Sequence, residues 1–155
     1  MVNLDLISFV DINKDSKLFL NFLDSELKTN NDFTYFLKRP IGCLDNHVIT
    51  ILLIYGGVVA GYGHIDKENQ FWLGVYVSKD FRSLSMGKKI VLELLKKCKE
   101  LSLKEIVLSV FKTNHIAYSL YLKLGFKVYD ENNKSFFMKK NIWYILAQSL
   151  FKNTI

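Results

Sequence analysis

The sequence predicts a mixed α/β sheet flanked by helices, and three observations carry that prediction. Two runs rich in β-branched residues, Val48–Tyr55 and Val58–Ile65, flank Gly56-Gly57, a strong two-residue hairpin signal. After Phe81 the apolar period becomes helical. Over Gly87–Leu101, Ile90, Val91, Leu94, Leu95 and Cys98 share one face, with lysines opposite. Beyond that, Glu105–Val110 is a short apolar run of the kind that fills a buried strand.

The remaining elements follow in order. Leu4–Val10 alternates weakly and is expected as a first strand. Ser16 can cap a helix through about Lys28, with Leu18, Phe19, Phe22, Leu23 and Leu27 as its apolar stripe. Asn30–Asn46, broken by Pro40 and Gly42, reads as a short helix or loop. Lys67-Glu68-Asn69 makes a turn, and Phe71–Val77 the third strand of the meander. Thr113 or Asn114 can cap a helix that ends at Gly125. Phe126–Tyr129 and Ser135–Met138 suit a last hairpin, and Trp143–Phe151 an amphipathic C-terminal helix. No linker interrupts the chain, so one domain over 1–155 is expected, with 141–155 as a helical extension.

Composition narrows the class. Half of the 155 residues are hydrophobic and one is proline, which excludes a disordered or fibrous chain. Met1–Val10 lacks a basic stretch followed by an apolar run, so no signal peptide is expected. Val48–Gly63, the most apolar segment, is too short and too broken by glycine to cross a bilayer, so no membrane partner is expected. Cys43 and Cys98 suggest neither a disulfide framework nor a zinc site. A cytoplasmic location and no bound metal are the expectation. Charge is uneven. Residues 1–81 hold seven Lys/Arg and ten Asp/Glu, and residues 82–155 hold fourteen and five. A basic C-terminal half suits an anionic partner: nucleic acid, a membrane surface or a phosphorylated cofactor. Nucleic acid is disfavoured, because the lysines of 88–104 lie opposite an apolar stripe, as on a solvated helix face.

Two segments carry candidate chemistry. In Val75–Lys89 a strand runs through a tight loop into a long helix. Free N–H groups in a first turn, with the helix dipole, attract phosphate. Arg82 and Lys88 add charge there. It is no ATP-binding loop, since Arg82 stands where that motif needs its first glycine and Lys89 where it needs Ser or Thr. The second segment is Asn114–Phe126. Asn114 and Tyr121, seven residues apart, lie about 20° from each other on a helix. Ala117 between them leaves a narrow passage on that face.

Together the two segments resemble the acyl-CoA signature of the GNAT acetyltransferases, R/Q-x-x-G-x-G/A followed by N-x-x-A-x-x-x-Y-x-x-x-G-F. Arg82, Gly87, Asn114, Ala117, Tyr121, Gly125 and Phe126 stand at the matching places. The likeness is close over about Val58–Lys139. It implies the GNAT fold, a mostly antiparallel sheet splayed between two parallel strands, here Phe71–Val77 and Glu105–Val110. It also implies acetyl-CoA or another acyl-CoA as co-substrate and a small-molecule amine as acceptor, with a homodimer left open. The first motif glycine is replaced by Ser85. Serine keeps the N–H, but a left-handed backbone there would cost it on the order of 1 kcal/mol. A degenerate CoA-binding scaffold therefore stays among the readings.

By the same resemblance, pantetheine pairs with backbone near Val75 and Val77. The pyrophosphate meets the amides from Ser83 through Ser85, Met86 and Gly87 to Lys88, beside Arg82. Asn114 and Tyr121 complete the cofactor side. Backbone N–H near Val77 could support the oxyanion. Tyr121 is placed for the departing thiolate. From reference values near 10 and 8.5, full proton transfer to it is uphill by roughly 2 kcal/mol, so a strong hydrogen bond is the expected contribution. Phe71–Ser78 holds no carboxylate. His64, at the end of the preceding strand, titrates in the useful range and is the candidate base, ahead of His47, Asp66 and Glu68. For the acceptor, Phe33, Tyr35, Phe36, Lys38 and Arg39, with Trp72 as a further aromatic, suit a nucleotide-linked amino sugar. Asp24, Glu26, Asp32 and Asp45 suit a polyamine or aminoglycoside instead, and a peptide amine stays open.

Overall fold

Why the chain builds a twisted sheet first is visible at its tightest turn. Gly56 and Gly57 both take positive φ, 58° and 84°, the backbone a primed hairpin turn requires. That turn joins β2 (His47–Tyr55) to β3 (Val58–Lys67) with Tyr55 opposite Val58. The computed structural model describes residues 3–13, 15–29, 34–37, 39 and 41–142. Trp143–Phe151 and all but the first two residues of the expected extension lie outside them.

The first expected strand begins later than the sequence suggests. Leu4–Leu6 forms a 3-10 turn, and β1 is Ile7–Asp11, antiparallel to β2. Helix α1 (Lys17–Thr29) starts beyond Ser16, whose Oγ accepts from Phe19 N–H at 3.4 Å. Its inner face is Phe19, Phe22, Leu23 and Glu26, while Leu18 is exposed. Residues 34–46 hold a one-turn helix, α2 (Thr34–Leu37), and a 3-10 stretch, Ile41–Asn46. After β4 (Phe71–Val77) and a 3-10 turn, Lys79–Phe81, come α3 (Met86–Glu100), β5 (Glu105–Phe111) and α4 (His115–Lys123). The last hairpin is β6 (Lys127–Glu131) and β7 (Ser135–Asn141).

The strands form one seven-stranded sheet in the order β1-β2-β3-β4-β5-β7-β6. It is mixed: β4 and β5 run parallel, paired at Trp72 and Val107, while β5–β7 and β6–β7 are antiparallel. The chain divides into two compact units, 1–67 with 74–94 and 68–73 with 95–155. In the first, Phe19, Phe22 and Leu23 of α1 pack with Phe36, Leu44, Leu52, Tyr62 and Tyr76. Each such side chain contributes roughly 1.5–3 kcal/mol when fully buried. On the other face of β3, α3 seats so closely that a Cβ on Gly63 would lie 2.4 Å from Ile90 Cγ2. In the second unit, Ile106, Leu108, Phe126 and Met138 are buried. No described helix is long and apolar enough to cross a membrane.

Candidate active site

Between β4 and α3 the backbone is held in an unusual shape. Ser83 and Ser85 both have positive φ, 68° and 59°. For side-chain-bearing residues this costs on the order of 1 kcal/mol each, and such strain gathers at ligand clamps. Ser85 therefore adopts the left-handed backbone for which the motif uses glycine; the same turn at Ser83 was not expected. Lys89 N–H donates to the Ser85 carbonyl at 3.2 Å, the bond that opens α3. The amides of Met86, Gly87 and Lys88 precede the first intrahelical donor, so they face outward from the helix start. Met86 itself is buried and anchors that start, while Arg82 and Lys88 are exposed. Arg82 Nε donates to the Val77 carbonyl at 3.2 Å, tying the loop back to the strand. Ser78 N–H bonds to the Ala60 carbonyl at 3.0 Å. By strand alternation, Val75 and Val77 then direct their backbone groups to the edge away from β3.

Ser85→Gly removes the strain at φ 59° and makes one clear expectation. CoA affinity by calorimetry should stay unchanged or improve. A loss of tenfold or more would show that the hydroxyl itself holds the ligand.

On α4, Asn114 is the N-cap, its Oδ1 accepting from Ala117 N–H at 3.1 Å. Its carboxamide oxygen thus serves the helix, and the NH₂ end is what it can offer a ligand. Tyr121 is buried with its ring edge-on to Phe126 at 5.6 Å, and burial pushes its hydroxyl up to about 12. Gly125, φ 84°, ends the helix, with Phe126 N–H bonded to the Tyr121 carbonyl at 3.0 Å.

The expected base lies deeper than a strand-end histidine. His64 sits inside β3 at 2% exposure. Its Nε2 is 3.8 Å from Asp66 Oδ2, itself buried. Tyr35 OH donates to that same oxygen at 3.1 Å and lies 2.7 Å from His47 Nε2. His47 Nδ1 is 3.0 Å from Thr50 Oγ1, and its ring stacks on His64 at 4.4 Å and 9°. Burial holds the His64 imidazole well below its ordinary range, with the charges of His47 and Arg39 adding to it. Burial, then Arg39, lowers His47 to about 4. Both rings are therefore neutral near pH 7. The space for His64 is made by Gly74 of β4, where a Cβ would lie 2.1 Å from His64 Cε1.

His47, His64 and Asp66 bring three potential ligand atoms within 4.8 Å of one another. Both His47 nitrogens already contact hydroxyls, of Tyr35 and Thr50, and Asp66 Oδ2 accepts from Tyr35 OH. The remaining sequence candidates scatter. Phe36 belongs to the core and Arg39 lies 4.5 Å over the Tyr35 ring. Phe33, Lys38 and Asp32 fall outside the described residues. Trp72 packs edge-on to Phe137 at 6.4 Å. Asp24 is exposed and paired with Lys28 at 2.7 Å. Asp45 lines a cavity of about 350 Å³ with Asn13, Asp15, His47 and Thr50, and among the described residues no Lys or Arg contributes to that lining. Glu26 is buried and accepts a short hydrogen bond from Tyr76 OH. Its spacing from Phe19, Phe22 and Leu23 was the available signal that it faces inward. Nothing in the sequence marked Gly74 or the Tyr35 hydroxyl.

Comparison with known proteins adds three findings. The sequence model of the Acetyltransferase (GNAT) family matches residues 11–126. Among curated proteins, the chain is 34% identical over 68 residues to a spermidine N(1)-acetyltransferase of Thermoplasma acidophilum, covering 44% of this chain and 42% of that protein. It is 28% identical over 95 residues to a probable spermine N(1)-acetyltransferase of Bacillus subtilis subsp. natto, covering 60% and 62%. The chain thus spans less than two thirds of either relative. Among solved structures, the PaiA N-acetyltransferase of Thermoplasma acidophilum in complex with coenzyme A superposes at TM-score 0.66 and 17% identity, covering 87% of this chain and 98% of that one. The IAA acetyltransferase of Bacillus cereus superposes at 0.69 and 13%, covering 87% and 99%. At these identities the structural likeness is one of fold.

Proposed function

Because the chain belongs to the acetyltransferase (GNAT) family, whose model matches residues 11–126, we propose that it transfers an acetyl group from acetyl-CoA to a primary amine of a polyamine. The observation that carries the cofactor side is the doubly left-handed loop of Ser83 and Ser85 opening onto the first amides of α3. Gly87 supports the same reading. A Cβ there would meet nothing closer than Val77 Cγ2 at 3.7 Å, so the protein's own packing does not demand glycine. Close approach of a phosphate would.

The acceptor side favours a polycation. Both curated matches act on polyamines by name. The cavity beside His47 carries Asp15 and Asp45, with no basic residue among the described ones that line it, in a chain of net charge +6. The stacking platform that pointed to a nucleotide-linked amino sugar is weakened, since Phe36 is core and Tyr35 is bonded to Asp66.

In the reaction, the amine must be neutral to attack the thioester carbon. An ordinary alkylamine, near 10.4, is mostly protonated at pH 7, so only its neutral fraction attacks. His64, held neutral, takes the proton that the neutral amine sheds as it attacks the carbonyl. Backbone N–H near Val77 supports the oxyanion, and Tyr121 donates a hydrogen bond to the departing sulfur. With the phenol near 12 and a thiol near 8.5, full transfer is uphill by roughly 5 kcal/mol. Tyr121 therefore stabilises thiolate without surrendering its proton.

A panel read by free-thiol release tests this. Spermidine and spermine should be turned over at kcat/KM at least tenfold above a nucleotide-linked amino sugar and a peptide amine. Preference for the amino sugar would overturn the acceptor assignment.

A further inference from the structure

We propose that Asp66 is the positioning residue that makes His64 a base, fixing the imidazole in the tautomer whose working atom is Nδ1. The inference rests on the acetyl-transfer reading above. The carboxylate faces His64 Nε2 at 3.8 Å, which favours the proton on that nitrogen. Nδ1, on the other side of the ring, has no hydrogen-bond partner among the described residues although it is fully buried. A buried nitrogen left unpaired is costly, and a bare lone pair there can take the amine proton by way of water admitted when the acceptor binds. Asp66 is held in turn. Tyr35 OH donates to its Oδ2, and the same hydroxyl contacts His47 Nε2, whose Nδ1 is fixed by Thr50.

Among the described residues, the charged and titratable groups that face His64 are His47 on β2, Asp66 and Tyr62 on β3, Tyr35 on α2, and Arg39. Asp66 is the acid that faces the ring at 3.8 Å, and its carboxylate form favours imidazolium against the burial and the His47 and Arg39 charges that disfavour it. As the amine nitrogen bonds to the carbonyl carbon, its N–H bond breaks and the proton passes to Nδ1. The C–S bond then breaks, the electron pair leaves on the CoA sulfur, and the imidazolium returns its proton to solvent. The 3.8 Å contact shortens as Asp66 pairs with the imidazolium.

Two measurements test it on the unmodified chain and its variants. Nitrogen NMR of the His64 ring should show Nε2 protonated and Nδ1 bare in the wild type, independently of turnover. In Asp66→Asn the carboxamide can donate to Nε2 and drive the proton onto Nδ1, reversing that pattern. Its kcat with spermidine should fall about 100-fold at pH 7, with KM for acetyl-CoA unchanged and the loss partly relieved at higher pH. Asp66→Glu, which keeps the carboxylate, should recover part of kcat and covers the case in which Asn fails to fold. His64→Gln should lose as much as Asp66→Asn, and the double variant no more. A wild-type Nδ1–H tautomer, or wild-type kcat and pH profile in Asp66→Asn, would overturn the proposal. Absence of thiol release from the wild type with every amine would instead overturn the acetyl-transfer reading, and the dyad's task with it.

Discussion

Tyr121→Phe should lower kcat by about 10- to 1000-fold while the KM for acetyl-CoA stays within about twofold. A hydrogen bond to sulfur strengthens as negative charge builds, so its loss falls on the transition state rather than on binding. The expected range corresponds to roughly 1.4 to 4 kcal/mol of barrier. Phenylalanine keeps the ring that meets Phe126 edge-on at 5.6 Å, so the fold should survive. Burial, which holds the hydroxyl near 12, means that no pH below about 10 should mimic the substitution by ionising it. Full activity in a Tyr121→Phe variant that still binds CoA would leave thiolate stabilisation to water or to the substrate.

Gly74→Ala should damage both stability and turnover. The added methyl would lie 2.1 Å from His64 Cε1 and within 2.8 Å of both ring nitrogens. The imidazole has nowhere easy to go, with Tyr35 4.3 Å and His47 4.4 Å from its centroid. Overpacking of this kind costs roughly 1–3 kcal/mol. Urea titration should report that loss, and kcat should fall more than tenfold as His64 is displaced. Gly87→Ala is the contrast. Its methyl meets only Val77 Cγ2 at 3.7 Å, so stability should hold while CoA affinity drops. A Gly74→Ala variant with wild-type stability and kcat would show that His64 can move aside without consequence.

These two sites differ in how far the sequence disclosed them. Tyr121 was legible because a seven-residue spacing from Asn114 and a terminating Gly125 fix a helix and its face by local rules alone. The hairpin at Gly56-Gly57 and the third strand, Phe71–Val77, were legible for the same reason. The loop from Arg82 to Lys88 was legible as a segment, and its left-handed Ser85 followed from the glycine it replaces. The Tyr35–His47–Asp66–His64 cluster was not. Its members come from α2, β2 and β3, and what joins them is antiparallel register, with His47 opposite Asp66. Residue type marked the histidines as titratable, but only packing against Gly74 shows why His64 is buried and neutral. Leu18 and Glu26 illustrate the same limit at a helix edge. Propensity assigned the leucine inward, and the hydrogen bond from Tyr76 drew the glutamate there instead.

The cofactor site is the premise on which the acceptor, the dyad and Tyr121 all depend. It is tested most directly by titrating CoA into the folded chain in a calorimeter at moderate salt. The expected result is saturable heat with a Kd in the micromolar range, on the order of −8 kcal/mol. Reversing the charge of Arg82 or Lys88 should weaken CoA at least tenfold and leave pantetheine, which lacks the phosphates, unaffected. No heat at millimolar CoA would contradict the phosphate-binding role of Ser83–Lys88 and the acetyl-CoA reading with it.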